Sequence, residues 1–164
     1  MITQSELKTI LRYDEKSGIF YWLPRSSWNR SDLVGKSAGT KYYDGYIRIW
    51  VGTDRYFAHR LAWLYVHGIM PKLQIDHINR CRDDNRIANL REATRSQNKY
   101  NSKIPSHNKS GFKGVILRPS GKWEAFIKHE CKRKFLGLFD TRKSAAMAYA
   151  VASRNLHKEF SNIT

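Results

Sequence analysis

Between Asn101 and Gly111 the chain passes through Ser102, Pro105, Ser106, Asn108, Ser110 and Gly111, a composition that resists helix and strand alike. This stretch divides a chain of 164 residues into two pieces, each able to bury only a modest core. A large single enzyme scaffold is excluded, so any active site must be assembled from short elements. The expected organisation is a first domain over 1–101, a basic linker over 102–110 that includes Lys103 and Lys109, and a second domain over 111–164.

Local patterns give each piece its elements. Thr3 followed by Glu6 is a capping-box signature, and Leu7, Ile10 and Leu11 then share a helical face that should end before the turn at Asp14 to Gly18. Ile19 to Leu23 reads as a strand. Asp44-Gly45 between Tyr42-Tyr43 and Tyr46-Ile47-Arg48-Ile49 marks a hairpin, making residues 19–58 mainly β. From His59 the rhythm of Leu61, Ala62, Leu64, Tyr65 and Val66 is helical, with Gly68 and Pro71 ending it. A short strand at Gln74 to His77, a turn-rich stretch at Asn79 to Arg86 and a helix capped by Thr94 follow. Beyond the linker, Phe112 to Leu117, Lys122 to Lys128 and Lys132 to Leu138 read as three strands. Thr141 then caps an Ala-rich helix whose small residues Ala145, Ala148 and Ala152, with Tyr149, let it lie close to a sheet. The expected fold class is α+β, a β-rich domain followed by a three-stranded antiparallel sheet packed on one helix.

Charge narrows the partners. Thirty Lys and Arg against 14 Asp and Glu leave +16 and a pI near 10.1, which favours a polyanion, with nucleic acid first. Residues 102–164 hold 13 of the basic residues and only 4 acidic ones. The mean hydropathy of -0.63 reflects this charge, since 41% of residues are hydrophobic. Cys81 and Cys131 form no CxxC pair, so neither a disulfide framework nor a structural zinc is expected. The amino terminus lacks the pattern of a signal peptide, and no apolar run reaches the roughly 20 residues of a membrane span. A soluble, intracellular and monomeric protein is the expectation.

The most informative segment is Ile75-Asp76-His77-Ile78-Asn79 with Asn85, Asn89-Leu90-Arg91 and Ser96-Gln97-Asn98. Hydrolysis of a phosphodiester needs an activated water and a charge sink at the leaving oxygen, tasks suited to a histidine and to a hard divalent cation. Asp76 and His77 can supply both halves if the strand ends or twists at that point, because neighbours on a strand face opposite sides. The Asn98 side-chain oxygen can add a second metal ligand, which suits Mg²⁺. Asn89 is placed to hold the loop or the His77 imidazole by hydrogen bonds. An isolated Asp-His pair would be plain turn chemistry; the four-part arrangement is what points to a site.

His59-Arg60-Leu61-Ala62-Trp63, Asp76-His77-Ile78-Asn79, Asp84-Asn85-Arg86, Asn89-Leu90-Arg91 and Gln97-Asn98 together resemble the HNH homing endonucleases of phages and introns, over about residues 1–101. The resemblance implies a ββα-metal finger over about 57–101. It further implies Asp76 and Asn98 as ligands of Mg²⁺ or Mn²⁺, His77 as general base and Asn89 as its orienting partner. Asn98 stands where the motif's last histidine would be, a variant familiar in the homing branch. His59 falls within the resemblance but suits capping or packing as well as catalysis, and is left outside the catalytic set.

The second piece also carries a resemblance. Ser110-Gly111-Phe112-Lys113-Gly114-Val115, Gly121-Lys122-Trp123-Glu124-Ala125, Phe135-Leu136-Gly137 and Phe139-Asp140-Thr141, with Ala145-Ala146 and Ala148-Tyr149, resemble the ethylene-response-factor (APETALA-type) DNA-binding domain of plants. This implies a sheet that enters the major groove of duplex DNA, with Lys113, Arg118, Lys122, Lys128 and Arg133 at contact positions and Lys134 adding phosphate attraction. Ile116, Ser120 and Phe135 replace residues usual in the plant domains, so their target sequence does not carry over. The two resemblances together imply a duplex-DNA endonuclease of a phage or mobile element, acting in the bacterial cytoplasm. The competing expectation is a non-catalytic DNA-binding regulator with an inactive finger.

Overall fold

The computed structural model describes residues 1–24 and 31–163, so the part of the expected β region at 25–30 lies outside the described residues. Its fold is α+β, in two compact units, Met1–Ala93 and Thr94–Thr164.

The first unit opens with α1 (Gln4–Ile10), whose amino end has the capping box expected from Thr3 and Glu6. Leu11, expected on the helix, instead begins β1 (Leu11–Asp14), which pairs antiparallel with β2 (Ile19–Trp22). β2 pairs in turn with β3 (Ser37–Ala38). A second small sheet is formed by β4 (Thr40–Lys41), β5 (Ile47–Val51) and β6 (Asp54–Phe57). The Asp44-Gly45 pair lies in its first hairpin loop, where Gly45 takes a φ of 84°, a conformation that suits glycine. α2 (Ala58–His67) follows and ends on Gly68 in the left-handed conformation. Finally β7 (Gln74–His77) pairs antiparallel with β8 (Leu90–Ala93).

The core of this unit gathers Leu7, Leu11, Phe20, Ile49, Leu61 and Leu64 with Ile75 and Leu90. The last two matter most for the site. They anchor both strands of the β7–β8 hairpin in apolar surroundings, so its connecting loop starts and ends on fixed points.

The second unit begins with α3 (Arg95–Asn101), capped by Thr94 with a complete capping box to Gln97. β9 (Val115–Leu117), β10 (Trp123–His129) and β11 (Lys132–Phe139) form an antiparallel sheet with β10 in the centre. α4 (Arg142–His157), capped by Thr141, packs on it through Ala145, Tyr149, Ser153 and His157. Val115, Ala125 and Ala145 are the buried centre, with Phe112, Trp123, Leu136 and Phe139 around them. Gly114 shows how close the packing is, since a Cβ there would sit 2.1 Å from the Phe126 carbonyl oxygen and 2.4 Å from the Tyr149 ring.

α3, expected to close the first domain, groups with the second for a visible reason. The Tyr100 ring stacks on His157 at 3.6 Å and 7°, and Asn162 Nδ2 donates to the carbonyl of Asn101 at 2.9 Å. Lys113 Nζ donates to the Tyr100 carbonyl at 3.1 Å. These partners lie far along the chain from α3, beyond what local sequence signals can register.

Candidate functional site

β7 ends at His77, which meets the condition that the strand stop there. Asp76 and His77 are both buried, 4% and 5% exposed. Asp76 is the register partner of Arg91 on β8, and the arginine closes on it, with Nε 2.9 Å and Nη2 2.8 Å from Oδ2. A buried carboxylate is costly unless a cation offsets it, and Arg91 provides that within the hairpin.

The loop between β7 and β8 is held by its own polar side chains. Asn89 Oδ1 accepts from the Asn79 amide at 3.0 Å, and its Nδ2 donates to the Asp84 carbonyl at 2.8 Å. Both ends of Asn89 therefore brace the loop. Asn79 Nδ2 and the Arg86 guanidinium converge on Asp84, at 2.6 Å each to Oδ2. Lys41 pairs with Asp83 at 2.6 Å and Arg82 donates to the Asp44 carbonyl at 2.8 Å, tying the loop to the β4–β5 hairpin.

The residue on the histidine is Asn85, to which the sequence analysis gave no role. It is 1% exposed, and its Oδ1 lies 3.3 Å from His77 Nε2. Its Nδ2 points to the Asp83 carbonyl at 3.2 Å, so the oxygen is the atom that faces the ring. Nε2 must then carry the proton, leaving the basic lone pair on Nδ1. Burial pulls the His77 pKa below its ordinary value, partly opposed by the bond to Asn85 and by Asp76. The imidazole is thus neutral at neutral pH, the form a general base requires. Asn85 makes the contact with the ring, while Asn89, expected as the orienting partner or as a brace of the loop, hydrogen-bonds within the loop.

Asn85 is itself fixed from the first sheet. Tyr13 Oη donates to its carbonyl at 2.7 Å, and Gly18, in the β1–β2 turn with φ of 74°, lies against the backbone of Asn85 and Arg86. A Cβ on Gly18 would be 2.4 Å from Arg86 N and 2.6 Å from the Asn85 carbonyl carbon. Gly18→Ala is expected to lower stability by at least about 1 kcal/mol, from its positive φ alone, and to reduce any activity that needs Asn85 in place. Urea unfolding beside an activity assay of the same preparation checks both.

His59, at the start of α2, packs edge-on against His77 at 5.2 Å between ring centroids and stacks on Phe57. Its Nδ1 has no hydrogen-bond partner among the described residues. Burial, then the neighbouring His77 and Arg60, push its pKa down to about 3. A folded-state pKa below the unfolded value means that stability is present above about pH 6.5 and lost as pH falls below it. Between pH 7 and pH 5 the wild type should lose about 2 kcal/mol more than His59→Phe, measured by urea unfolding at the two pH values. Equal losses would show that His59 titrates normally.

Asn98 stands on α3 in the second unit, half-buried. Among the described residues no group of three or more His, Cys, Asp and Glu is arranged to hold a metal. Asp76 and Asn98 each carry an oxygen donor, the ligand type that hard divalent ions prefer.

On the sheet of the second unit, Arg118, Lys122, Lys128 and Arg133 are exposed. Lys122 pairs with Asp140. Lys113 differs from expectation: it is half-buried, and its ammonium is spent on the carbonyls of Tyr100 and Ser102. Lys134 lies on the α4 side of β11, lining a groove with Leu136, Phe139 and Met147. Arg118 and Arg133 both bind Glu124, a residue the sequence analysis quoted without a role.

The β7–β8 hairpin thus closes on an Asp-His pair, with a connection pinned by asparagines. The family model of HNH endonucleases matches residues 56–100, and this segment belongs to that family. Part of the chain is similar to plant transcription factors. The ethylene-responsive transcription factor ERN3 of Medicago truncatula is 43% identical over 60 residues, 35% of this chain and 25% of that protein. The AP2/ERF and B3 domain-containing transcription repressor TEM1 of Arabidopsis thaliana is 40% identical over 52 residues, 32% of this chain and 14% of its own length. The chain thus spans a quarter or less of the length of these relatives. A solved structure titled for DNA binding and cleavage by the HNH homing endonuclease I-HmuI aligns over 91% of this chain and 86% of its own, with a TM-score of 0.44 and 19% identity. No helix among the described residues is long and apolar enough to cross a membrane.

Proposed function

We propose that this protein is a metal-dependent endonuclease of the homing type that hydrolyses phosphodiester bonds in duplex DNA and is directed to its site, as a monomer, by the sheet of its second unit. The observation that carries the reading is His77. It is buried, oriented through Nε2 by Asn85 and adjacent to a buried carboxylate, inside the segment that matches the HNH family.

In this reading His77 Nδ1 takes a proton from a water that attacks phosphorus. The 3′ oxygen departs, leaving 5′-phosphate and 3′-hydroxyl ends. Asp76 and Asn98 would hold the divalent cation, Mg²⁺ or Mn²⁺, which supplies charge neutralisation at the leaving oxygen. Arg91 keeps Asp76 in place, and Asn89 keeps the loop closed over the strand ends. Arg118, Lys122, Lys128 and Arg133 would meet DNA from the outer sheet face, where cationic side chains reach phosphates and base acceptors.

The test is cleavage of supercoiled plasmid with Mg²⁺ or Mn²⁺, comparing wild type with His77→Ala. Cleavage by the wild type alone supports the reading. Absence of cleavage by both proteins, with binding retained, would make this a regulator with an inert finger.

A further inference from the structure

Glu124 is out of place on the surface proposed to meet DNA. Residues alternate between faces along a strand, and on β10 Ala125 belongs to the core beneath α4, so Glu124 belongs to the opposite face. A carboxylate there repels phosphate. Yet it is only 4% exposed, because two arginines cover it. Arg118 Nε lies 2.5 Å from Oε2, and Arg133 Nη2 lies 2.5 Å from Oε1. The Arg133 guanidinium is also stacked on Phe126, 3.8 Å from the ring centroid. Both arginine side chains remain 46% exposed, so each is gripped at one side and open to solvent at the other.

Each feature has a consequence for recognition. An unrestrained arginine on a strand samples many rotamers and must lose that freedom on binding. A guanidinium carries five N–H donors in a rigid fork, so a carboxylate that engages one edge fixes the plane and leaves other donors to face outward. One carboxylate here serves two forks, one oxygen for each. Burial alone would raise the Glu124 pKa, but its bonds to Arg118 and Arg133 bring it below the ordinary value.

Resting on the reading of this sheet as a duplex-DNA surface, we propose that Glu124 is a positioning residue for sequence discrimination. Its carboxylate holds Arg118 and Arg133 as a preset pair of donor forks for acceptor-bearing base edges. The clamp gives up non-specific attraction, since it cancels one of two positive charges, and gains discrimination, since two donors are already aimed. It therefore separates two quantities that usually move together on a basic surface.

The experiment uses the full chain in EDTA. Duplexes are first selected from a randomised pool by the wild type, and affinities for the selected duplex and a scrambled duplex of equal composition are then compared at several salt concentrations. Glu124→Ala is expected to bind the scrambled duplex two- to tenfold more tightly, with an equal or steeper salt slope. The ratio of selected to scrambled affinity should fall at least tenfold. Arg118→Ala should cost discrimination in the wild type and little more in Glu124→Ala, because both substitutions disable the same device. A carboxylate that only supported the fold would lower both affinities together. Glu124→Gln, which keeps the size and loses the charge, is measured alongside and should show the same opposed movement if the alanine variant fails to fold. A selective wild type whose discrimination survives in both variants overturns the clamp and leaves the DNA-reading function standing. A wild type that binds no duplex, or selects none, overturns the reading function and the clamp with it.

Discussion

His77→Ala should lower the rate of metal-dependent DNA cleavage by about 10² to 10⁴-fold, the range for removal of a general base, while duplex binding stays within a few fold of wild type. His77 is buried at the end of β7 with Nε2 facing Asn85 Oδ1, and a base that is neutral, fixed and beside a carboxylate contributes to the rate and little to the grip on the backbone. Asn85→Ala should give a smaller but clear loss, roughly tenfold or more, since the imidazole stays in place on β7 and loses its orienting acceptor. Asn89→Ala should act mainly through stability, because its two hydrogen bonds close the loop upon itself. Rates at saturating DNA and metal, with binding measured separately, resolve the three. If His77→Ala cleaves at the wild-type rate, the imidazole is not the base.

Truncation after Asn101 should abolish cleavage even at DNA concentrations that saturate the shortened protein, in addition to weakening affinity. The loss of affinity follows from charge, as residues 102–164 carry 13 basic and 4 acidic side chains. Each phosphate contact removed lowers the slope of log affinity against log salt by about 0.9. The loss of turnover follows from α3. This seven-residue helix is far below the length of about 12 to 15 residues at which a helix holds by itself in water. Its supports are the stack of Tyr100 on His157, the bond from Asn162 and the bond from Lys113, all removed by the cut. Asn98, proposed as a metal ligand, would then sit on a frayed segment. The measurement is the cleavage rate at saturating DNA, with amide exchange of residues 95–101 as an independent readout. A truncated protein that turns over at the wild-type rate once saturated would show that α3 needs nothing from the rest of the second unit.

Sequence alone determined whatever is written in local chemistry or in residue order. The capping box at Thr3, the cap at Thr94, the Asp44-Gly45 turn and the three short strands after the linker are short-range signals, and the structure has each element within a few residues of its expected place. The resemblance carried by His59 to Trp63, Asp76-His77-Ile78-Asn79, Asp84-Asn85-Arg86, Asn89-Leu90-Arg91 and Gln97-Asn98 implied the HNH segment that the family model matches. Only the tertiary structure decided which polar side chain meets which. The choice between Asn85 and Asn89 as the partner of His77 depends on how a loop folds back on itself, and spacing of a few residues is compatible with either. The membership of α3 in the second unit and the grip of Glu124 on two arginines depend on packing between distant segments and on the face each strand turns outward. Such pairings are settled by the collective closure of a core, which no single stretch of residues encodes.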